Sequence, residues 1–417
     1  MRRPARGRLG RWSAGLAGPA GRVGLCALLL AALFLLSGCN RYQDHYRNRQ
    51  MQAAKGKGPV KIAVVTSSNL PNLTPQGAEL AAKLVNERGG VLGGRKLELL
   101  HYDDEGKLPV GERLARRLAS NTDVVAVIGH IYSEVAIPCS IIYGTAGLLF
   151  MSTGATDPDL TLIPNPFSFR NVPRDDAIAR EMANLCKKLG QQRLVVLFER
   201  GLFSSFYGLS LAQNFSSAAV DVGLDVMHVR SYFSWQEDVR RVILQLRQSG
   251  FDAMLLVGYL PQAGHIIHQA RGLGIKCCII GPDSLDNQDL LRHAKDAADG
   301  VITTNFFRPD LDRPQTREFV AAFKKAHGKM PDSDAAASFD AVNLLVAAMK
   351  DCGSSIPLEM AQALNYMNMM PGVCSDYTFN EDGDVVGRQM WFREVIHNRF
   401  EYLPEEYQPR STGALTR

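Results

Sequence analysis

From residue 59 onward the apolar positions switch repeatedly between two periods. VKIAVVT (60–66) is a near-continuous apolar run, as expected of a strand buried on both faces. Thr74-Pro75 follows, an N-cap with proline at N1. Ala78, Ala81, Ala82, Leu84 and Val85 then fall at helical spacing until Gly89-Gly90 stops the helix. KLELLHY (96–102), VVAVIG (124–129) and LLFMS (148–152) predict further strands, with helices over 110–120 and from about Ser133. The alternation resumes with LVVLF (194–198), a helix near 205–219, a strand near 225–233 and a helix near 236–248. AMLLV (253–257), a helix near 261–272 and CCIIG (277–281) continue it. Past Phe306 the chain is helix-rich, over 319–327 and 334–350, and ends in short strand-like pieces. Repeated strand–helix units predict parallel sheets covered by helices on both faces. Their number exceeds one ordinary sheet, and 417 residues exceed one compact core, so two doubly wound lobes are expected.

The first forty residues follow a different pattern. Residues 1–22 are arginine-rich, and residues 23–36 are an apolar stretch, short for a membrane-spanning helix and right for the apolar region of a signal peptide. It ends in Leu36-Ser37-Gly38-Cys39, which resembles the bacterial lipobox, so Cys39 is the expected lipidation site. That reading makes 1–38 a lipoprotein signal peptide and the polar stretch 39–58 a tether, and places the protein outside the cytoplasm, anchored to a membrane. Each acyl CH₂ buried contributes about 0.8 kcal/mol, so a multiply acylated cysteine would not leave the bilayer.

Charge adds little once it is located. The net charge of +5 comes from six arginines between Arg2 and Arg22; the remaining chain has 41 basic residues against 42 acidic. No basic run is left to bind a phosphate backbone, so no nucleic-acid partner is expected. The six cysteines beyond Cys39 are too sparse for a disulfide scaffold. Cys352 and Cys374 flank one helix, and spacing leaves their pairing open.

Enzyme signatures are missing. There is no phosphate-binding P-loop, no nucleophile elbow and no H-E-x-x-H, and Gly272-Leu273-Gly274 follows a helix rather than a strand. No catalytic residue, metal site or cofactor is expected. His265 and His268 read as a solvated helix face, and His130 as a packed or hydrogen-bonded histidine. In doubly wound sheets ligands bind where strands end. At those junctions Ser133 suits a carboxylate through its hydroxyl and the helix's free N–H groups, and equally suits a plain N-cap. Ser152-Thr153-Gly154-Ala155-Thr156 is small and donor-rich, and reads as a turn or a site.

Several stretches carry a likeness. They are Lys61 to Val65, Asn86 to Leu97, Tyr102-Asp103-Asp104, Val127 to His130, Ala155 to Thr161, Gly258-Tyr259, Gln269 to Gly274 and Gly281-Pro282-Asp283. In order and spacing, from about 60 to about 395, the chain resembles the solute-binding proteins of ABC importers, specifically the leucine/isoleucine/valine-binding type (periplasmic binding protein type I). The resemblance implies two doubly wound parallel-sheet lobes joined by a three-strand hinge. Lobe 1 would comprise 59–173 and 306–373, lobe 2 174–305 and 374–403, with a C-terminal tail at 404–417 and crossings near 172–175, 304–307 and 370–375. It implies an aliphatic amino-acid ligand, delivered to ABC permease subunits. It places Ser133, Gly154 and Thr156 on the ligand carboxylate, Gly154 through its backbone. It places Asp283 on the α-ammonium, Tyr259 beside it, and Tyr207 in the cleft. An insertion between Gly201 and Phe206 leaves Phe203 or Ser205 as alternatives to Tyr207. The chain departs from the family in a shorter loop at Ser67 to Thr74, without its tyrosine. It also has Glu105 and Tyr132 where some members place a cysteine pair. A sensor for amides or urea on the same fold is the other reading.

Overall fold

In the computed structural model, which describes residues 44–69, 72–201 and 206–409, each of the apolar runs becomes a parallel strand. The chain begins with α1 (44–54), β1 (Val60–Thr66), α2 (Thr74–Glu87), β2 (Leu97–Asp103), α3 (Leu108–Ser120) and β3 (Val124–Gly129). α4 (Ser133–Thr145), β4 (Leu149–Ser152), the single turn α5 (Asp159–Leu162) and β5 (Ser168–Arg170) complete the first sheet, whose order is β2-β1-β3-β4-β5. The chain then runs through α6 (Asp175–Lys188), β6 (Arg193–Arg200), α7 (Phe206–Asp221), β7 (Asp225–Phe233), α8 (Arg240–Arg247) and β8 (Ala253–Val257). α9 (Gln262–Gly272), β9 (Cys278–Gly281), α10 (Gln288–Ala294) and β10 (Val301–Asn305) follow. Three helices, α11 (Pro314–His327), α12 (Ser333–Cys352) and α13 (Pro357–Asn365), return to the first sheet, followed by the two-residue strands β11 (Met370–Pro371) and β12 (Asp376–Tyr377). Finally β13 (Trp391–Ile396) and β14 (Arg399–Tyr402) join the second sheet antiparallel, giving β14-β13-β10-β9-β8-β6-β7. The expected architecture of two α/β lobes holds. The central strands β3 and β8 are buried along their whole length, as their unbroken apolar runs require.

Several expectations need correction. The strand β10 was not expected, because Thr303, Thr304 and Asn305 look polar. All three are buried, and Thr303 donates to Asp286 Oδ1 at 2.7 Å. The helix expected near 236–248 starts only at Arg240, because α9 holds the preceding turn: Val239 N–H donates to Gln269 Oε1 at 2.9 Å. The third crossing comes after Val385, later than 370–375. Residues 373–377 are bolted to α12, where Asp340 accepts from the Val373 and Cys374 amides and from the Tyr377 hydroxyl at 2.7–3.0 Å. Buried Arg388 then ties the three crossings together, donating to Asn171 O at 3.1 Å and Phe306 O at 2.8 Å. Cys352 and Cys374 are both free. The tail is docked as far as Gln408, whose buried amide bonds the backbone of Phe392 and Leu403.

The stretch expected to be a tether is a docked helix over most of its length. Arg49 on α1 is fully buried in the first lobe. Its guanidinium donates to the carbonyls of Val124, Leu118, Ala119 and Asn121 at 2.9–3.1 Å, and to that of Ala146. The carbonyls of Leu118, Ala119 and Asn121 close α3, and Ala146 follows α4, so one cation satisfies acceptors that helix ends leave open. Burial pushes the guanidinium down to about 10. Arg49→Ala should release α1 and cost about 1–3 kcal/mol. Urea unfolding and limited proteolysis of residues 44–54 read both effects; unchanged protection would refute the docking. Cys39 lies outside the described residues.

Candidate functional site

At the carboxyl ends of the parallel strands both sheets contribute residues to one cavity of about 790 Å³ between the lobes. All six residues expected at the ligand line it. Ser133 opens α4 after β3; Gly154 and Thr156 lie in the loop after β4; Tyr207 is in the first turn of α7; Tyr259 and Asp283 follow β8 and β9. Phe203 and Ser205 lie outside the described residues.

Local backbone contacts hold the first-lobe residues in place. A Cβ at Gly154 would lie 3.0 Å from Ile131, tight enough that any other residue would push these two loops apart by a few tenths of an ångström. Ser133 Oγ accepts from Asp157 N–H at 3.4 Å, which ties α4's first residue to the Thr156 loop, and Asp175 N–H donates to Thr156 O at 2.9 Å. Below them runs a buried chain: Ser67 Oγ to Asp104 Oδ1 at 2.5 Å, Asp104 Oδ2 to His130 Nδ1 at 2.8 Å, and His130 Nε2 to the Tyr143 hydroxyl at 2.8 Å. His130 has a left-handed backbone, φ 47°, and two side-chain bonds hold it three residues before Ser133. The packed histidine read from the sequence thus braces the loop that carries the site.

On the second lobe, the Tyr207 hydroxyl lies 3.1 Å from Ser284 Oγ, which donates to Gly258 O at 2.7 Å. Tyr259 N–H donates to Glu199 Oε2 at 2.9 Å. The lobes meet in an aromatic cluster, Tyr132 edge-on to Tyr259 with ring centres 4.8 Å apart and Tyr207 stacked on Tyr259 at 5.3 Å.

The electrostatics are acidic. Asp283 Oδ1 is buried with no hydrogen-bond partner among the described residues, and burial pushes this carboxyl up to about 7. Burial, reinforced by Glu199, also raises Glu134 to about 7 at the lobe junction. Such an arrangement accepts hydrogen bonds from a cation at one end and offers hydroxyls and helix N–H groups to an anion at the other, which is how a zwitterion is matched. Gln76, Ser284, Asp332 and Asp334 also line the cavity and were missed. Asp332-Ser333-Asp334 before an apolar run signals a helix start, and nothing local shows that this start faces a cleft.

Comparison with known proteins agrees with this geometry. The family described as periplasmic binding protein matches residues 60–399. The Leu/Ile/Val-binding protein homolog 1 of Brucella suis is 30% identical over 311 residues, covering 74% of this chain and 81% of that protein. The leucine-specific-binding protein of Salmonella typhimurium is 28% identical over 335 residues, covering 79% and 88%. The crystal structure of an ABC transporter substrate-binding protein from Desulfitobacterium hafniense in complex with Leu superposes with a TM-score of 0.74 at 32% identity, covering 83% of this chain and all of that one.

Proposed function

The chain belongs to the periplasmic binding protein family, and from that premise we propose that it captures a small aliphatic amino acid between its lobes by hinge closure and delivers it to an ABC importer. Ser133, the Gly154 backbone and Thr156 hold the ligand carboxylate; Asp283 receives the α-ammonium, with Tyr259 beside it and Tyr207 lining the cleft. The observation that carries the reading is Asp283: a buried carboxylate oxygen without a partner among the described residues, in one cavity with a donor-rich loop from the opposite lobe. The names of the Brucella and Salmonella relatives and the leucine held by the Desulfitobacterium protein support the ligand class. The family works outside the cytoplasm. No helix among the described residues is long and apolar enough to cross a membrane, and a lipid on Cys39 would supply the anchor.

A thermal-shift screen of the full-length protein against the common amino acids, simple amides and urea tests this reading. A true ligand at about 100 times Kd adds ~2.7 kcal/mol of stability. A shift with aliphatic amino acids supports it; a shift confined to amides would replace it with the sensor reading.

Binding should also depend on pH. With its pKa raised to about 7, Asp283 is protonated below that pH and ionised above it. An ammonium needs the ionised form, so affinity rises as pH goes from 5 to 8, by up to about tenfold per unit below 7. Calorimetry at pH 6 in buffers of different ionisation enthalpy should show close to one proton released per ligand. No proton release would contradict the Asp283 assignment.

A further inference from the structure

Five carboxylates line the cavity, those of Asp283, Asp286, Asp289, Asp332 and Asp334. Two are in ion pairs and a third caps a helix. Arg393 lies 2.8 Å from Asp286, Arg292 lies 2.5 Å from Asp289, and Asp332 accepts from Ala335 N–H at 2.8 Å. Asp283 and Asp334 have no cation among the described residues. They come from opposite lobes: Asp283 follows β9 of the second sheet, and Asp334 sits in the first turn of α12, packed on α2 of the first. Burial first, then the charges of Asp332 and Asp283, raise the Asp334 carboxyl.

Helix stability gives Asp334 only the modest benefit of a negative charge at a helix amino end, because Asp332 already caps α12, accepting from Ala335 N–H at 2.8 Å. The wall around Asp334 also seeks donors. α2 and α12 touch at their amino ends, where Ser338 Oγ donates to Thr74 O at 2.8 Å and a Cβ at Gly77 would come within 2.0 Å of Ala335 O. That contact sets Gln76 beside the α12 terminus. Its Oε1 is buried at the cavity without a partner among the described residues.

We propose that Asp334 is a second ammonium-holding carboxylate, facing Asp283 across the cleft, so that the cation of the ligand is what allows the lobes to close. This rests on the amino-acid reading and adds to it a residue, a gate and a selection rule. Without a cation, closure either brings two like charges together away from water or makes one carboxyl take up a proton, and both are unfavourable. With an ammonium between them the same two charges hold the lobes shut. The coupling is a differential affinity for the closed state. Ligands that present a cationic amine are therefore accepted, and neutral amides or the α-hydroxy analogues of amino acids are refused.

The test compares wild type, Asp334→Asn and Asp334→Lys as full-length proteins. Calorimetry measures leucine and its α-hydroxy analogue, and small-angle scattering measures the radius of gyration with and without ligand. Asp334→Asn should bind leucine at least tenfold more weakly, discriminate less against the hydroxy acid, and be more compact without ligand than wild type. Asp334→Lys carries its own cation to Asp283; it should be closed without ligand and bind no leucine. A merely structural Asp334 would leave the unliganded dimensions unchanged. Wild-type leucine affinity in both variants, or identical unliganded dimensions, overturns the proposal while leaving the transport reading intact. If leucine, and every other amino acid, fails to bind the wild type, the transport reading falls and this proposal with it.

Discussion

Asp283→Ala is expected to abolish amino-acid binding while leaving the unliganded protein at least as stable as wild type. In the complex the α-ammonium is removed from water. Without Asp283 it would remain buried and short of its principal counter-charge, which costs about 3–5 kcal/mol, or at least about a hundredfold in Kd. In the unliganded protein the carboxyl is a buried group with one oxygen unpartnered among the described residues, raised to about 7, so its removal relieves a desolvation cost. Titration calorimetry with leucine and a thermal melt without ligand read the two effects separately. Unchanged affinity would remove Asp283 from the site. A loss of affinity together with a large drop in the melting midpoint would make it a structural residue.

The second large effect is expected at a distance from the ligand. Arg170 and Asp384 are both buried, with Arg170 Nε 2.6 Å from Asp384 Oδ1, and the half-buried Arg174 holds the other oxygen at 2.8 Å. Asp384→Ala leaves the Arg170 guanidinium buried without its counter-ion and should cost about 3–5 kcal/mol in urea unfolding. Arg170 also donates to the carbonyls of Ala155 and Asp157 at 3.2 and 2.8 Å. These flank Thr156, so the same substitution should weaken ligand binding by loosening the loop. Adding Arg170→Met to Asp384→Ala should restore part of the stability, because an apolar side chain replaces an uncompensated charge, without restoring affinity. A loss below about 1 kcal/mol for Asp384→Ala would show that Asp175, whose charge also favours the Arg170 cation, and solvent already compensate Arg170.

Legibility differed between fold and site. Strands with unbroken apolar runs, such as β3 and β8, were readable because burial on both faces leaves no polar position to confuse the period. β10 was not, because its buried Thr303 and Asn305 are satisfied by Asp286, a partner on another strand's loop. Ser133 and the loop holding Gly154 and Thr156 were read as strand-end residues, Tyr259 and Asp283 came only from a family likeness, and all five line the cavity. Asp334 was hidden, since three residues of sequence around it describe a helix start and nothing more.

The sequence by itself determined the alternation of strand and helix, the two-lobe class and the chemical types at the strand ends, because these follow from local periodicity and from the geometry of parallel sheets. Only the tertiary structure decided which charges have partners. Arg49 reaches helix ends about 70 to 97 positions away, Arg170 meets Asp384 across more than two hundred residues, and Asp283 and Asp334 come from opposite lobes to one cavity. A charge's worth depends on what surrounds it within a few ångströms, and chain distance carries almost no information about that.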